Sequence, residues 1–129
     1  RICALPAFWV GLLYDDASLD AAWDLVKDFN RAERHALRDG VPKHALKLPA
    51  RLGNTQATVR ELAIEALKIS AAGLQRRARH NKSGSDERVF LDPLIETAEA
   101  NLTPAERKLA LYQGPWEGDI DRVVSEFAY

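Results

Sequence analysis

The sequence has one cysteine, Cys3, and no methionine among its 129 residues. A single thiol cannot build a disulfide framework, so the chain has to fold on buried apolar surface. Its length allows that, because a domain of about 150 residues buries roughly two-thirds of the surface its unfolded form exposes. A lone thiol also suits a reducing compartment. Excess charge is missing too. Eighteen Lys and Arg stand against 19 Asp and Glu, a net charge of −1, and no bulk attraction draws such a chain to nucleic acid or to an anionic membrane. A membrane-spanning run is absent. The longest apolar stretch, Ile2 to Tyr14, is interrupted by Pro6 and Gly11 and stops at Asp15-Asp16, short of the about 20 residues a transmembrane helix needs. It lacks a small-residue cleavage site and so does not read as a signal peptide. The seven glycines are scattered, and none falls in G-x-x-x-x-G-K or G-x-G-x-x-G, which excludes the usual phosphate loops. His35, His44 and His80 lie far apart without Cys or carboxylate partners at ligand spacing, which predicts no metal site.

Long alternation at period two is also missing, and the periodic segments read as helices. Pro6 fits a first helical turn, and Ala7 to Tyr14 follows as a nearly all-apolar helix that has to be buried on most sides. A second helix, capped by Asp16 or Ser18, carries Leu19, Ala22, Trp23, Val26 and Phe29 at spacings of three and four, which predicts an inward stripe. Asn30 caps a short helix from Arg31 to Arg38, closed by Gly40 and the Val41-Pro42 pair. Pro42 to Gly53 reads as a loop with a bend at Gly53-Asn54. The longest helix is expected from Thr55 to Arg79, with Val59, Leu62, Ala63, Ala66, Leu67, Ser70 and Leu74 inward and small residues, Gly73 among them, admitting a close neighbour. Asn81 to Ser85 reads as a mobile loop. A helix from Asp86 or Asp92 to Asn101 follows. Thr103-Pro104-Ala105-Glu106 is a capping box with Pro at the first helical position, opening a helix to Gln113 that Gly114 stops. Ile120 to Ala128 closes the chain, with Val123, Val124 and Phe127 inward. The fold class is therefore mainly α, with about six helices packed as one unit.

Chemistry-bearing clusters are few. Asp15, Asp16, Asp20 and Asp24 could hold magnesium in principle, yet acidic residues at a helix start complement its dipole and need no metal. Arg76, Arg77, Arg79, His80 and Lys82 end the long helix, where cations satisfy terminal carbonyls, and no aromatic residues interleave them as a nucleic-acid platform requires. Cys3, among apolar neighbours, reads as a structural thiol. Phe8 and Trp9 are adjacent on a helix and so about 100° apart on its circumference, which keeps both from pointing into one core. Core packing and pocket lining both remain open for them.

Several segments carry a family resemblance. Cys3-Ala4-Leu5-Pro6-Ala7-Phe8-Trp9-Val10-Gly11-Leu12-Leu13-Tyr14-Asp15 resembles the plant and proteobacterial type of glutamate–cysteine ligase. Gly73-Leu74-Gln75-Arg76-Arg77, Leu102 to Arg107, Tyr112-Gln113-Gly114-Pro115-Trp116 and Val124 to Tyr129 resemble the same family in the same order, so the likeness covers essentially the whole chain. Asn81 to Glu87 looks like an insertion relative to the plant pattern. The resemblance implies an enzyme that uses ATP and Mg2+ to phosphorylate the γ-carboxylate of glutamate and lets the cysteine amine displace phosphate. It implies that residues 1–129 form a single helical C-terminal region of an α+β enzyme whose antiparallel catalytic sheet lies upstream. The apolar opening without Met agrees with a fragment whose upstream neighbour covers it. The expected partners are that upstream part and the substrates glutamate and cysteine, with no nucleic acid and no membrane, in the cytoplasm or, for a plant source, a plastid. Phe8 and Trp9 are the residues this likeness places beside the amino-acid substrate. No catalytic base, metal ligand or cofactor ligand is carried onto the chain, and the fragment alone is expected to be inactive. The competing reading is a stand-alone, non-catalytic helical protein-interaction module.

Overall fold

A ten-residue helix without one charged side chain has no face that prefers water, and the fold is arranged around this fact. The computed structural model describes residues 2–77 and 86–127. Helix α1 (Ala4–Leu13) turns Ala4, Ala7, Gly11 and Leu12 inward, against α4 (Val59–Arg77), the longest helix. The two cross closely because Gly11 meets Gly73. A Cβ at Gly73 would overlap the Gly11 carbonyl, and one at Gly11 would overlap the backbone and hydroxyl of Ser70. The buried hydroxyls here are satisfied: Ser70 Oγ donates across this seam to the Phe8 carbonyl at 2.9 Å, and Ser18 Oγ, from the helix that follows α1, donates to the Ile69 carbonyl of α4 at 3.0 Å. Below it, Ala7, Leu67, Leu74, Leu91 and Ala98 form the core, with Phe8, Val10, Ile64, Leu94 and Ile95 packed on it.

Helix α2 (Asp16–Val26) follows the turn at Tyr14 and Asp15 and is capped by Asp15, which accepts from the Ser18 N–H at 2.9 Å. Its buried side is not the one expected. Ser18 is buried, Ala21 and Leu25 are half-buried, and Leu19, Trp23 and Val26 are exposed; of the expected stripe only half-buried Ala22 and, beyond the helix, buried Phe29 face inward. The helix is apolar around more than half its circumference, and the arc of small residues is the one that fits against α4.

Helix α3 (Arg31–His44) opens with a full capping box, the Asn30 side chain accepting from the Glu33 N–H and Glu33 accepting from the Asn30 N–H. It does not stop at Arg38 but runs through Pro42. Proline removes a single bond, to the Arg38 carbonyl, and α3 buries none of its residues, so water can solvate that carbonyl. Gly40 is not the terminator. It makes room for Leu48, whose methyl carbons would lie 2.7 and 2.8 Å from a Cβ there.

The expected loop from Pro42 to Gly53 is likewise corrected. After a 3-10 turn at Ala45–Lys47, β1 (Pro49–Leu52) pairs antiparallel with β2 (Thr55–Thr58), and the predicted bend at Gly53-Asn54 is the hairpin turn, with Gly53 at φ 56°. Four-residue strands are too short to show a period. The strand β2 takes the residues assigned to the start of the long helix, and α4 begins at Val59 because Thr58 and Glu61 form a capping pair: Glu61 accepts from the Thr58 N–H at 2.8 Å and Thr58 Oγ1 from the Glu61 N–H at 3.3 Å. The inward stripe of α4 is as predicted, from half-buried Val59 and Leu62 to buried Leu67, Ser70 and Leu74. Its expected end at Arg79 and the loop at Asn81 to Ser85 lie outside the described residues.

A 3-10 turn (Glu87–Leu91) leads into α5 (Asp92–Ala100), with Pro93 in the first turn and left-handed Asn101 as the C-cap. Helix α6 (Pro104–Gln113) carries the predicted capping box, with Thr103 Oγ1 accepting from the Glu106 N–H at 3.2 Å and Glu106 accepting from the Thr103 N–H at 2.8 Å, and it stops at Gly114. Helix α7 (Ile120–Phe127) folds back, with Trp116 and Phe127 edge to face at 6.0 Å. Val123 and Phe127 are half-buried as expected, but Val124 is exposed. Among the described residues there are thus seven α-helices and one two-stranded sheet, a mainly α architecture. None of these helices is long and apolar enough to cross a membrane.

Candidate functional site

The two aromatic residues singled out in the sequence sit side by side on α1 and divide as helix geometry requires. Phe8 is half-buried and packs on the core, whereas Trp9 is 51% exposed. Their rings meet edge to face at 5.5 Å. Leu5, Trp9 and Leu13 recur every fourth residue and form the outer stripe of α1, all exposed. Cys3, expected among apolar neighbours, is exposed at the start of the helix. Neither Phe8 nor Trp9 lines the open hollow of about 560 Å3 between α5, α6 and α7, whose walls include Leu94, Thr97, Leu102, Arg107, Lys108 and Phe127.

The acidic and basic clusters of the sequence turn out to meet each other. Arg76, at the end of α4, grips Asp15 through both Nε and Nη2, with the Nη2–Oδ2 distance at 2.6 Å, and its Nη2 also donates to Ser18 Oγ at 2.8 Å. Ser18 passes the chain on to the Ile69 carbonyl. The Arg76 guanidinium, aided by the Ser18 N–H, lowers the Asp15 pKa from 3.8 to about 2. This network ties the α1–α2 turn to α4 across 61 residues. Arg77 pairs with Glu87 at 3.2 Å and lies over the Tyr14 ring at 5.7 Å. Asp24 pairs with Lys27 at 2.7 Å. Arg79, His80 and Lys82 lie outside the described residues.

Two further cations act as fasteners that sequence reasoning passed over. Arg51 on β1 holds Glu33 through Nε at 2.6 Å and Nη2 at 3.1 Å, reaches the Gly53 and Asp28 carbonyls, and covers the Phe29 ring at 4.7 Å. It fixes the hairpin to the α2–α3 junction and holds the Glu33 carboxyl below the usual range. Arg60 donates to the Ala98 carbonyl at 2.7 Å and the Glu99 carbonyl at 3.1 Å, closing the end of α5. Neither partner could be read from spacing, because each lies in a distant element.

Among the described residues these ion-paired arrangements do not make a nucleotide or metal site. Among the described residues no three His, Cys, Asp or Glu converge to hold a metal ion. Asp15 of the acidic cluster is committed to Arg76, and Arg76 and Arg77 of the basic cluster are committed to carboxylates. Among the described residues, the acidic and basic clusters read in the sequence therefore do not assemble a site for ATP or Mg2+. What the geometry offers is an apolar, outward-facing stripe with Trp9 at its centre, on a helix packed from behind against α4.

Comparison with known proteins extends this. The chain is 44% identical over all its 129 residues to a protein of Arabidopsis thaliana named glutamate–cysteine ligase, chloroplastic, and 42% identical to the protein of that name in Medicago truncatula, covering 23% of each. It is 44% identical to the glutamate–cysteine ligase B, chloroplastic, of Oryza sativa subsp. japonica, covering 24% of it. The chain thus spans about a quarter of the length of these relatives. The model of glutamate-cysteine ligase family 2 (GCS2) matches residues 1–126, and the chain belongs to that family.

Proposed function

We propose that residues 1–129 are one unit, the C-terminal helical region of a glutamate–cysteine ligase. In that enzyme ATP phosphorylates the γ-carboxylate of glutamate with release of ADP. The cysteine amine then attacks the acyl phosphate and phosphate leaves, giving γ-glutamylcysteine for glutathione synthesis. The observation that supports this is the match of the entire chain, at 44% identity, to about a quarter of a named ligase. No step of phosphoryl transfer is assigned to side chains of this region, and the nucleotide and Mg2+ belong to the remainder of the polypeptide, which is also its partner. The relatives' names place those proteins in chloroplasts, which supports a plastid for a plant source and lends nothing to a cytoplasmic placement.

Within that enzyme, Trp9 presents its ring to the amino-acid substrate and Phe8 backs it edge-on from the core side. The first test is a full-length Arabidopsis ligase whose matching segment is replaced by this chain. ATP-dependent γ-glutamylcysteine formation is expected, and a folded chimera without it would contradict the ligase reading in favour of a helical interaction module. The second is Trp9→Phe in the active chimera. Because Trp9 is half exposed in this region, the expected change is a higher KM for glutamate or cysteine at unchanged thermal stability. Unaltered KM and kcat would remove Trp9 from the substrate site.

A further inference from the structure

The outer stripe of α2 is a core pattern without a core. Leu19, Trp23 and Val26 fall at i, i+4 and i+7, the spacing of a buried helix face, yet all three are exposed, Trp23 at 64%. The helix already buries a different arc, through Ser18 and Leu25, against the rest of the chain. One border of the stripe is acidic, since Asp16 and Asp20 lie about 20 to 60° of arc from Trp23 at a rotation of about 100° per residue. Neither has an ion-pair partner among the described residues.

We propose that this stripe is a docking surface for the remainder of the ligase polypeptide, which meets it with an apolar patch bordered by Lys or Arg. The inference rests on the ligase reading above and adds to it a second contact, separate from the Trp9 stripe of α1. Three observations carry it. The chain spans only 23% of the ligase of Arabidopsis, so a family-length protein brings some three-quarters of its length to this region. The stripe holds one of the most exposed large aromatic side chains described. Asp16 and Asp20, without an ion-pair partner among the described residues, favour a basic border. A second copy of the same face is the poorer occupant, because a two-fold contact brings Asp16 and Asp20 of both copies to one small interface.

The test is hydroxyl-radical footprinting of the full-length chimera, isolated as a single folded species, with Leu109 of α6, also exposed, as internal reference. Trp23 is expected to oxidise several-fold more slowly than its 64% exposure in this region allows, while Leu109 oxidises at the rate its 52% exposure allows, at every protein concentration. Oxidation of Trp23 at the rate that its 64% exposure allows overturns the proposal. Protection that disappears on dilution overturns it as well, since the occupant is then a second copy. If the chimera does not fold, the same footprint is taken on the native full-length polypeptide carrying this segment. Ligase activity is read on the same sample: protection without activity refutes the ligase reading and leaves the contact standing, and activity without protection does the reverse.

Discussion

The seam between α1 and α4 and the arm formed by α6 and α7 are held by opposite means. In the seam, glycines meet, hydroxyls are buried and satisfied, and Leu74 and Leu91 are fully buried. In the arm no residue is buried, and the two helices pack mainly on each other. They stand on local caps and on the ring contact of Trp116 with Phe127. The seam depends on residues some sixty positions apart, and the arm mainly on near neighbours in sequence, with one exposed ion pair from Lys47 to Glu106 at 3.2 Å reaching it from a distant element. Substitutions in the first should therefore act on the whole fold, whereas those in the second should act on one helix.

The strongest break is Gly73→Ala. Its new methyl has no room, because the atom in its way is the Gly11 carbonyl, a backbone group that cannot rotate aside. The helices have to separate, which also strains the Ser70 and Ser18 bonds. The expected loss is about 3 kcal/mol, the upper end for overpacking, seen as a lower denaturant midpoint. A neutral result would show that the seam is loose. Next comes Thr103→Ala, which removes the N-cap of α6 at a cost of about 1 kcal/mol. If the comparison holds, faster hydrogen exchange is confined to α6 amides and leaves those of α4 unchanged; loss of protection throughout α4 would show the arm to be coupled to the seam.

The same contrast explains what could be read from the sequence. Local signals were legible: the caps at Asn30, Thr103 and Gly114, the inward stripe of α4, and the small residue Gly73 as a point of close approach. The family, too, was legible in the run from Cys3 to Asp15. What failed depended on distant partners. Gly40 looked like a stop because Leu48, which fills its space, lies beyond the helix. Leu19, Trp23 and Val26 looked inward because periodicity reports that a face is apolar and not whether this chain covers it. Thr58 and Glu61 were a readable cap, masked by the continuous helical character of the residues around them. The proposed substrate contact at Trp9 came from resemblance, and the structure adds its exposure.

The smallest effect distinguishes the two regions by pH. Asp15 titrates at about 2 in the fold against 3.8 for the free group, chiefly because Arg76 donates to it. Between those values the unfolded chain binds the proton more readily, so stability falls as pH falls: the contribution is whole above about pH 4 and gone below about pH 2. Glu106 is lowered in the same direction, first by the Thr103 N–H, and so gives the arm an acid limb of the same sign. Asp15→Asn keeps a competent N-cap and removes the charge, which isolates the contact with Arg76. The variant should have a lower urea midpoint than the parent near neutral pH, and the two curves should converge as the pH approaches about 2. Added salt should narrow the gap, since the pair is partly exposed. Hydrogen exchange then separates the regions: acid should loosen the α2–α4 contact in the parent and have no further effect there in Asp15→Asn, while the response of α6 stays the same in both. A gap between the two proteins that persists undiminished at low pH would mean that Asp15 acts through its shape as a cap and not through its charge.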